Sequence, residues 1–172
     1  MGGRLKGMST FLTGDVWWVK VLHMPRTPRI QPGGLIYHVI NRGNCGMDLF
    51  EKSLDYTAFQ RVLADSAEPT RMRLLAYCLM PNHWHLVLRP RAAGDLGRYM
   101  HRVTTTHVRR WHQHRHSAGQ GHLYQGSYKS FPIQDDRHFL TVCRYVERNA
   151  RRADLVDRAE AWQWSSFWQR DH

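Results

Sequence analysis

The chain has 172 residues, enough to bury one substantial core and short enough for a single domain. Its 25 lysines and arginines against 14 acidic residues leave a formal net charge of +11, which points to a polyanion as partner. No run of about 18 apolar residues exists, and the best short one, "VWWVKVL", carries Lys20 in its middle, so a membrane span is excluded.

Taken in chain order, residues 1–23 differ from the rest of the sequence. Asp15 interrupts their apolar stretch and no small-residue cleavage site comes after it, which excludes a secretory signal. They are expected to be an N-terminal extension outside the domain, as a start codon placed too early would produce; an amphipathic helix docked on the domain is the alternative. The domain proper is expected over 24–172. "LIYHVINRG" predicts a β-branched strand ended by Gly43. "SLDYTAFQRVLADSA" predicts a helix opening at a Ser53 cap, with Phe59, Val62 and Leu63 on one face. "RMRLLAYCLM" and "HWHLVLRP" read as two strands of a hairpin turned at Pro81-Asn82. From Gly94 to about His114 a helix carries Leu96, Tyr99, Met100, Val103, His107 and Trp111 at helical spacing. "LYQGSYKSFPI" predicts a strand or short hairpin. "DDRHFLTVCRYVERNARRA" predicts a helix with an acidic first turn and a basic end, as the macrodipole favours. This order gives an α+β fold, a ferredoxin-like antiparallel sheet with helices packed mainly on one face. Three cysteines far apart, Cys45, Cys78 and Cys143, with no C-x-x-C pair, suit reduced thiols in a cytosol.

Within "MPNHWHLVL", strand alternation puts His83, His85 and Val87 on one face and Trp84, Leu86 and Leu88 on the other. The apolar set must face the helices, so the histidines point the other way, about 7 Å apart at Cα and able to converge on one cation. A pair of half-exposed histidines on a wet sheet face is the alternative. In the last helix, Phe139, Val142, Cys143, Val146 and Ala150 form one stripe, and Tyr145 lies roughly 120° from its centre. Asn149 is one turn further along the same side, among Arg148 and Arg152. Ordinary surface packing of that tyrosine is the alternative. His112 and His116 have i, i+4 spacing, but no cysteine or carboxylate accompanies them.

These marks, together with "NRGNCGMDLFEKSLDYTAF", "YVERNARRADLV", "GHLYQGSYKS" and the terminal "WQWSSF", resemble the single-tyrosine HUH transposases, in particular the REP-associated tyrosine transposases. The resemblance runs from about Met24 to Phe167. It implies the HUH nuclease fold, with His83 and His85 binding a divalent metal, Mg2+ or Mn2+, Asn149 as third ligand and Tyr145 as nucleophile. It implies cleavage and strand transfer of single-stranded DNA through a covalent 5′-phosphotyrosine, at repeated extragenic palindromes that form hairpins. The expected protein is cytoplasmic and nucleoid-associated, a monomer or homodimer. The family usually shows Asn-Pro-Val-Arg-Ala-Gly where this chain has Asn149-Ala150-Arg151-Arg152-Ala153-Asp154, so no proline stops the helix after Asn149. Tyr124 stands where the family's "LWQ" motif has tryptophan.

The chemistry suits these residues. Ionising a phenol at pH 7 costs about 4 kcal/mol from an ordinary pKa near 10, and a cation or arginines beside a scissile phosphate favour attack on it. Candidate DNA contacts are Arg42, Arg98, Arg102, Arg109, Arg110, Lys129, Arg148 and Arg152 for phosphates, with Tyr124 and Tyr128 stacking on bases. Their bland alternatives are a solvated helix face and core packing. Two rival functions stand beside this one: a metal-dependent phosphodiester hydrolase using water, and a catalytically silent protein that holds palindromic or structured nucleic acid.

Overall fold

The computed structural model describes residues 32–117, 119 and 121–172; the extension expected over 1–23 lies outside them. The chain runs β1 (Ile36–Arg42), α1 (Ser53–Thr70), β2 (Arg73–Met80), β3 (His83–Arg89), α2 (Asp95–His114), β4 (Lys129–Ile133), α3 (Asp136–Glu147), α4 (Asn149–Arg152) and α5 (Ser166–Asp171). The first six elements are the β-α-β-β-α-β unit of a ferredoxin-like fold, and the sheet order is β2-β3-β1-β4 with all pairs antiparallel. The expected α+β class and antiparallel sheet are the observed ones.

Alternation decides what each sheet face holds. Tyr37 and Val39 of β1, Tyr77 and Leu79 of β2, and Trp84, Leu86 and Leu88 of β3 form one core with Phe59, Val62 and Leu63 of α1 and Leu96, Tyr99, Met100 and Val103 of α2. The two long helices therefore share one face, as the apolar pattern requires. The opposite face is not simply wet. Ala76, Cys78, Met80 and Val87 form a second, smaller core with Val146 and Ala150, against which Phe139, Val142 and Cys143 pack. The apolar stripe of α3 needs a partner, and this half of the sheet supplies it.

Local details position these parts. Helix α1 begins at Ser53, but the cap is made by Asp55, whose carboxylate accepts the backbone N–H groups of Glu51 (3.0 Å) and Lys52 (3.3 Å). The serine is the first helical residue rather than the cap. Of "LYQGSYKSFPI", only Lys129–Ile133 is a strand; Tyr124 makes a lone bridge to Gly43, and Pro132 fits because β4 is a sheet edge. The other edge, β2, is covered by the C-terminal strap: Leu79 N–H donates to the Trp164 carbonyl (2.9 Å), Trp162 Nε1 donates to the Leu79 carbonyl (2.9 Å), and the Ser166 hydroxyl accepts the Tyr77 N–H (2.9 Å). Ser166 also donates to Glu147 Oε1 (2.6 Å), which pairs with Arg170 (2.7 Å). The strap thus ties the end of α3 to the sheet.

Candidate active site

Four rings gather on the α3 side of the sheet. The His83 and His85 ring centroids are 5.1 Å apart. His38, from the neighbouring strand, stacks on His85 at 5.2 Å. Tyr145 meets both His38 (6.0 Å) and His85 (5.8 Å) edge to face. The register explains the meeting: Ile40 faces His85 across the β1–β3 pair, so His38, two residues back on the same face, is the diagonal neighbour of His85. Helix α3, crossing above, brings Tyr145 down on them from the flank of its apolar stripe.

The hydrogen bonds fix the His83 tautomer. Asn82 donates its amide N–H to the Gly46 carbonyl (3.3 Å), which aims its Oδ1 at His83 Nδ1, 2.7 Å away. A neutral ring facing a carbonyl oxygen must donate, so His83 Nε2 keeps its lone pair. His85 Nδ1 lies 3.0 Å from His38 Nε2, so one of these two rings donates to the other, and in the tautomer in which His85 donates its Nε2 is likewise free. The Gly46 loop is held close by backbone: a Cβ on Gly43 would sit 2.1 Å from the Met47 carbonyl oxygen, and Gly46 has φ +76°. Its Gly43 N–H donates to the Asn82 carbonyl (2.8 Å). The "NRGNCG" stretch thereby fixes the turn that fixes His83.

Electrostatics point the same way. Burial, with His38 and His83 as neighbours, pushes the His85 pKa down to about 3. Burial lowers His38 to about 4, and burial plus the Arg42 guanidinium lowers His83. All three rings are neutral at physiological pH and able to offer lone pairs. Among the described residues no group of three or more His, Cys, Asp or Glu could hold a metal. Among the described residues the imidazole donors are those of His83 and His85, and an amide, a phosphate oxygen or water suits the remaining positions around an ion.

Tyr145 is 39% exposed, its hydroxyl makes no hydrogen bond among the described residues, and the Arg152 guanidinium lies 5.0 Å above its ring. Asn149 sits one turn on, where the helix breaks at Arg148 and resumes over Asn149–Arg152. Its amide nitrogen donates to the Tyr145 carbonyl (3.4 Å), and no hydrogen bond or ring contact joins it to His83 or His85. Without proline the helix does continue past Asn149, but through a kink.

The other sequence candidates divide. Arg42 ends β1 opposite His83, and Lys129 faces Ile40, so both lie on the histidine side with Arg152 and the exposed Phe131, whose ring is 6.4 Å from His38. Arg148 is exposed beside them. Arg98, Arg102, Arg109 and Arg110 lie on α2, across the sheet from the tyrosine; Arg98 pairs with Asp95. Tyr128 packs against the α1–α2 core and, with Arg109, lines a groove beside α2. Tyr124 is no stacking platform: it is 8% exposed, and its hydroxyl lies between Trp84 Nε1 (3.1 Å) and His107 Nδ1 (2.7 Å). Its role is core polar satisfaction, because the loop over 121–128 turns it inward. Helix α2 ends at His114 and His116 has φ 50°, so His112 and His116 do not share a helical face. Sequence reasoning missed His38 and Asn82. The alternation in "IYHVINR" puts His38 opposite Tyr37 and Val39, which was the available signal.

The family described as "Transposase IS200 like" matches residues 33–149, a span that contains His38, His83, His85, Tyr145 and Asn149. The chain belongs to that family. Among solved structures, it is similar to a REP-associated tyrosine transposase bound to a REP hairpin, with a TM-score of 0.66 and 16% identity over 81% of this chain and 80% of that one. It is also similar to a putative transposase from Deinococcus radiodurans R1, with a TM-score of 0.47 and 20% identity over 66% of this chain and 89% of that one. Comparison with curated proteins finds no match. No helix among the described residues is long and apolar enough to cross a membrane.

Proposed function

We propose that this member of the IS200-like transposases cuts and rejoins single-stranded DNA through a covalent link to Tyr145. The observation that carries the reading is the edge contact of a half-exposed phenol, without a hydrogen bond among the described residues, with two neutral histidines on one sheet face. His83 and His85 suit a magnesium or manganese ion through their Nε2 atoms, with the Asn149 amide as the candidate third ligand. When bound, such an ion supplies electrostatic polarisation of the scissile phosphate. The protein's own residues do the rest. Asn82 and His38 orient the two imidazoles. Arg42, Lys129 and Arg152 gather the backbone, and Phe131 offers a face to an unpaired base. The Tyr145 oxygen attacks phosphorus in line, the O–P bond forms as the P–O3′ bond breaks, and the phenolic proton ends on the released 3′-oxygen by way of solvent. One diester replaces another, so the step reverses and can join a new end.

The substrate we propose is a hairpin of the repeated extragenic palindrome type, in cytoplasmic nucleoid DNA. The fold likeness to a transposase bound to a REP hairpin supports it. The test is a denaturing gel with palindromic single strands drawn from the DNA flanking the gene, in Mg2+ or Mn2+. The expected result is an adduct whose tryptic fragment contains Tyr145, absent in Tyr145→Phe. Strand cleavage without adduct would make the protein a hydrolase using water.

A further inference from the structure

At the far end of the β2–β3 hairpin from the histidines, an open hollow of about 690 Å³ is lined by Gly34, Pro90 and four arginines, Arg71, Arg73, Arg89 and Arg91. All four are exposed. Arg73 and Arg89 are direct partners across the antiparallel pair, where like charges repel. Among the described residues no carboxylate lines the hollow. Among the described residues, none of the four guanidiniums makes an ion pair or a side-chain hydrogen bond. Arg71 holds φ 49° at the C-cap of α1, a conformation that glycine adopts without strain. Residues 1–31 carry a single acidic side chain, Asp15. A site with four forked donors and no counter-charge among the described residues fits an anion with several oxygens.

We propose that this hollow binds a backbone phosphate of the substrate DNA, anchoring the strand remote from the point of cleavage. The inference rests on the reading of the chain as a DNA strand transferase. Arg89 lies on the same sheet face as His85, whose ring Tyr145 touches, four residues further on, or about 13 Å at the usual strand rise. That equals about four steps of stacked DNA at 3.4 Å each. The anchor and the tyrosine therefore engage one strand together only when it is long enough to reach both.

The test compares the full chain with Arg73→Gln/Arg89→Gln and with Arg61→Gln/Arg137→Gln, a control that removes two exposed charges elsewhere. Affinity for oligothymidines of 4 to 20 nucleotides is measured by fluorescence anisotropy at several salt concentrations. The wild type is expected to gain affinity steeply once the strand spans the two sites. Arg73→Gln/Arg89→Gln should flatten that gain, bind the 20-mer about tenfold more weakly and lower the salt slope by about 0.7, the share of one phosphate, while the control stays within twofold. Inorganic triphosphate should raise the melting temperature of the wild type and not that of the double variant. The variant itself should melt no lower than wild type, since a like-charge pair is removed. Equal losses in both double variants, or an unchanged length profile, overturn the proposal. So does loss of the triphosphate effect with full DNA affinity, which makes the hollow a site for free anions. Because these readouts are binding alone, failure of the wild type to form a Tyr145 adduct would count against the transferase reading and leave the anchor to be judged separately.

Discussion

Two tyrosines of this chain should respond in opposite ways to loss of a hydroxyl. In Tyr124→Phe the ring shape is unchanged, but Trp84 Nε1 and His107 Nδ1 lose their shared partner at 3.1 and 2.7 Å. Trp84, Tyr124 and His107 are all buried, and His107, held by burial at about 3, is neutral. The phenol therefore accepts from the indole and donates to the imidazole. Two net hydrogen bonds at about 1 kcal/mol each, plus the penalty for an orphaned indole N–H, sum to about 3 kcal/mol. At 2–4 °C per kcal/mol for a chain of this size, the melt should drop by about 6–12 °C. Tyr145→Phe removes a hydroxyl with no hydrogen-bond partner among the described residues at a position 39% exposed, so stability should change by less than about 1 kcal/mol. Urea melts followed by tryptophan fluorescence give the first quantity, and the covalent-adduct gel run well below the melt gives the second. Tyr124→Phe should be weakened but still form adduct; Tyr145→Phe should be stable and form none. A Tyr124→Phe chain as stable as wild type would refute the buried bridge, and one that is folded yet unable to form adduct would move the chemistry to Tyr124.

His38→Ala should raise the metal concentration needed for cleavage about 10- to 100-fold with DNA affinity little changed, because His85 loses the partner of its Nδ1; His38→Gln should recover part of the loss, and an identical metal titration in all three proteins would deny His38 any orienting role. His83→Ala and His85→Ala should each abolish metal-dependent adduct formation while hairpin affinity, measured by anisotropy, stays within a few-fold. Stability should fall on acidification. His85 and His107 are held near 3 in the fold against about 6.5 when unfolded, so between those values the unfolded chain binds protons that the native chain does not, and stability is lost as pH falls from about 6.5 toward about 3. Each histidine contributes about 2 kcal/mol of that loss by pH 5; urea midpoints that coincide at pH 7 and pH 5 would contradict the burial of these rings.

Strand alternation, read locally, was enough to place His83 and His85 opposite Trp84, Leu86 and Leu88, because side-chain parity is a property of the chain itself. Helical periodicity likewise separated Tyr145 from the stripe around Val146, and the ordered motifs carried the family. Tertiary structure decided the rest. His38 joins the site only through the register of β1 on β3, a pairing between residues 47 apart in sequence, and no local pattern encodes register across such a gap. The covering of the histidine face arises from α3 burying its stripe on the sheet, so the rings, whose alternative reading was a half-exposed pair on a wet face, are desolvated and neutral. Tyr124 shows the limit most plainly. A tyrosine has an apolar body and a polar tip and suits either a surface or a core. In a loop without periodicity, only the two buried partners waiting for its hydroxyl, Trp84 from the sheet and His107 from α2, determine which way it turns.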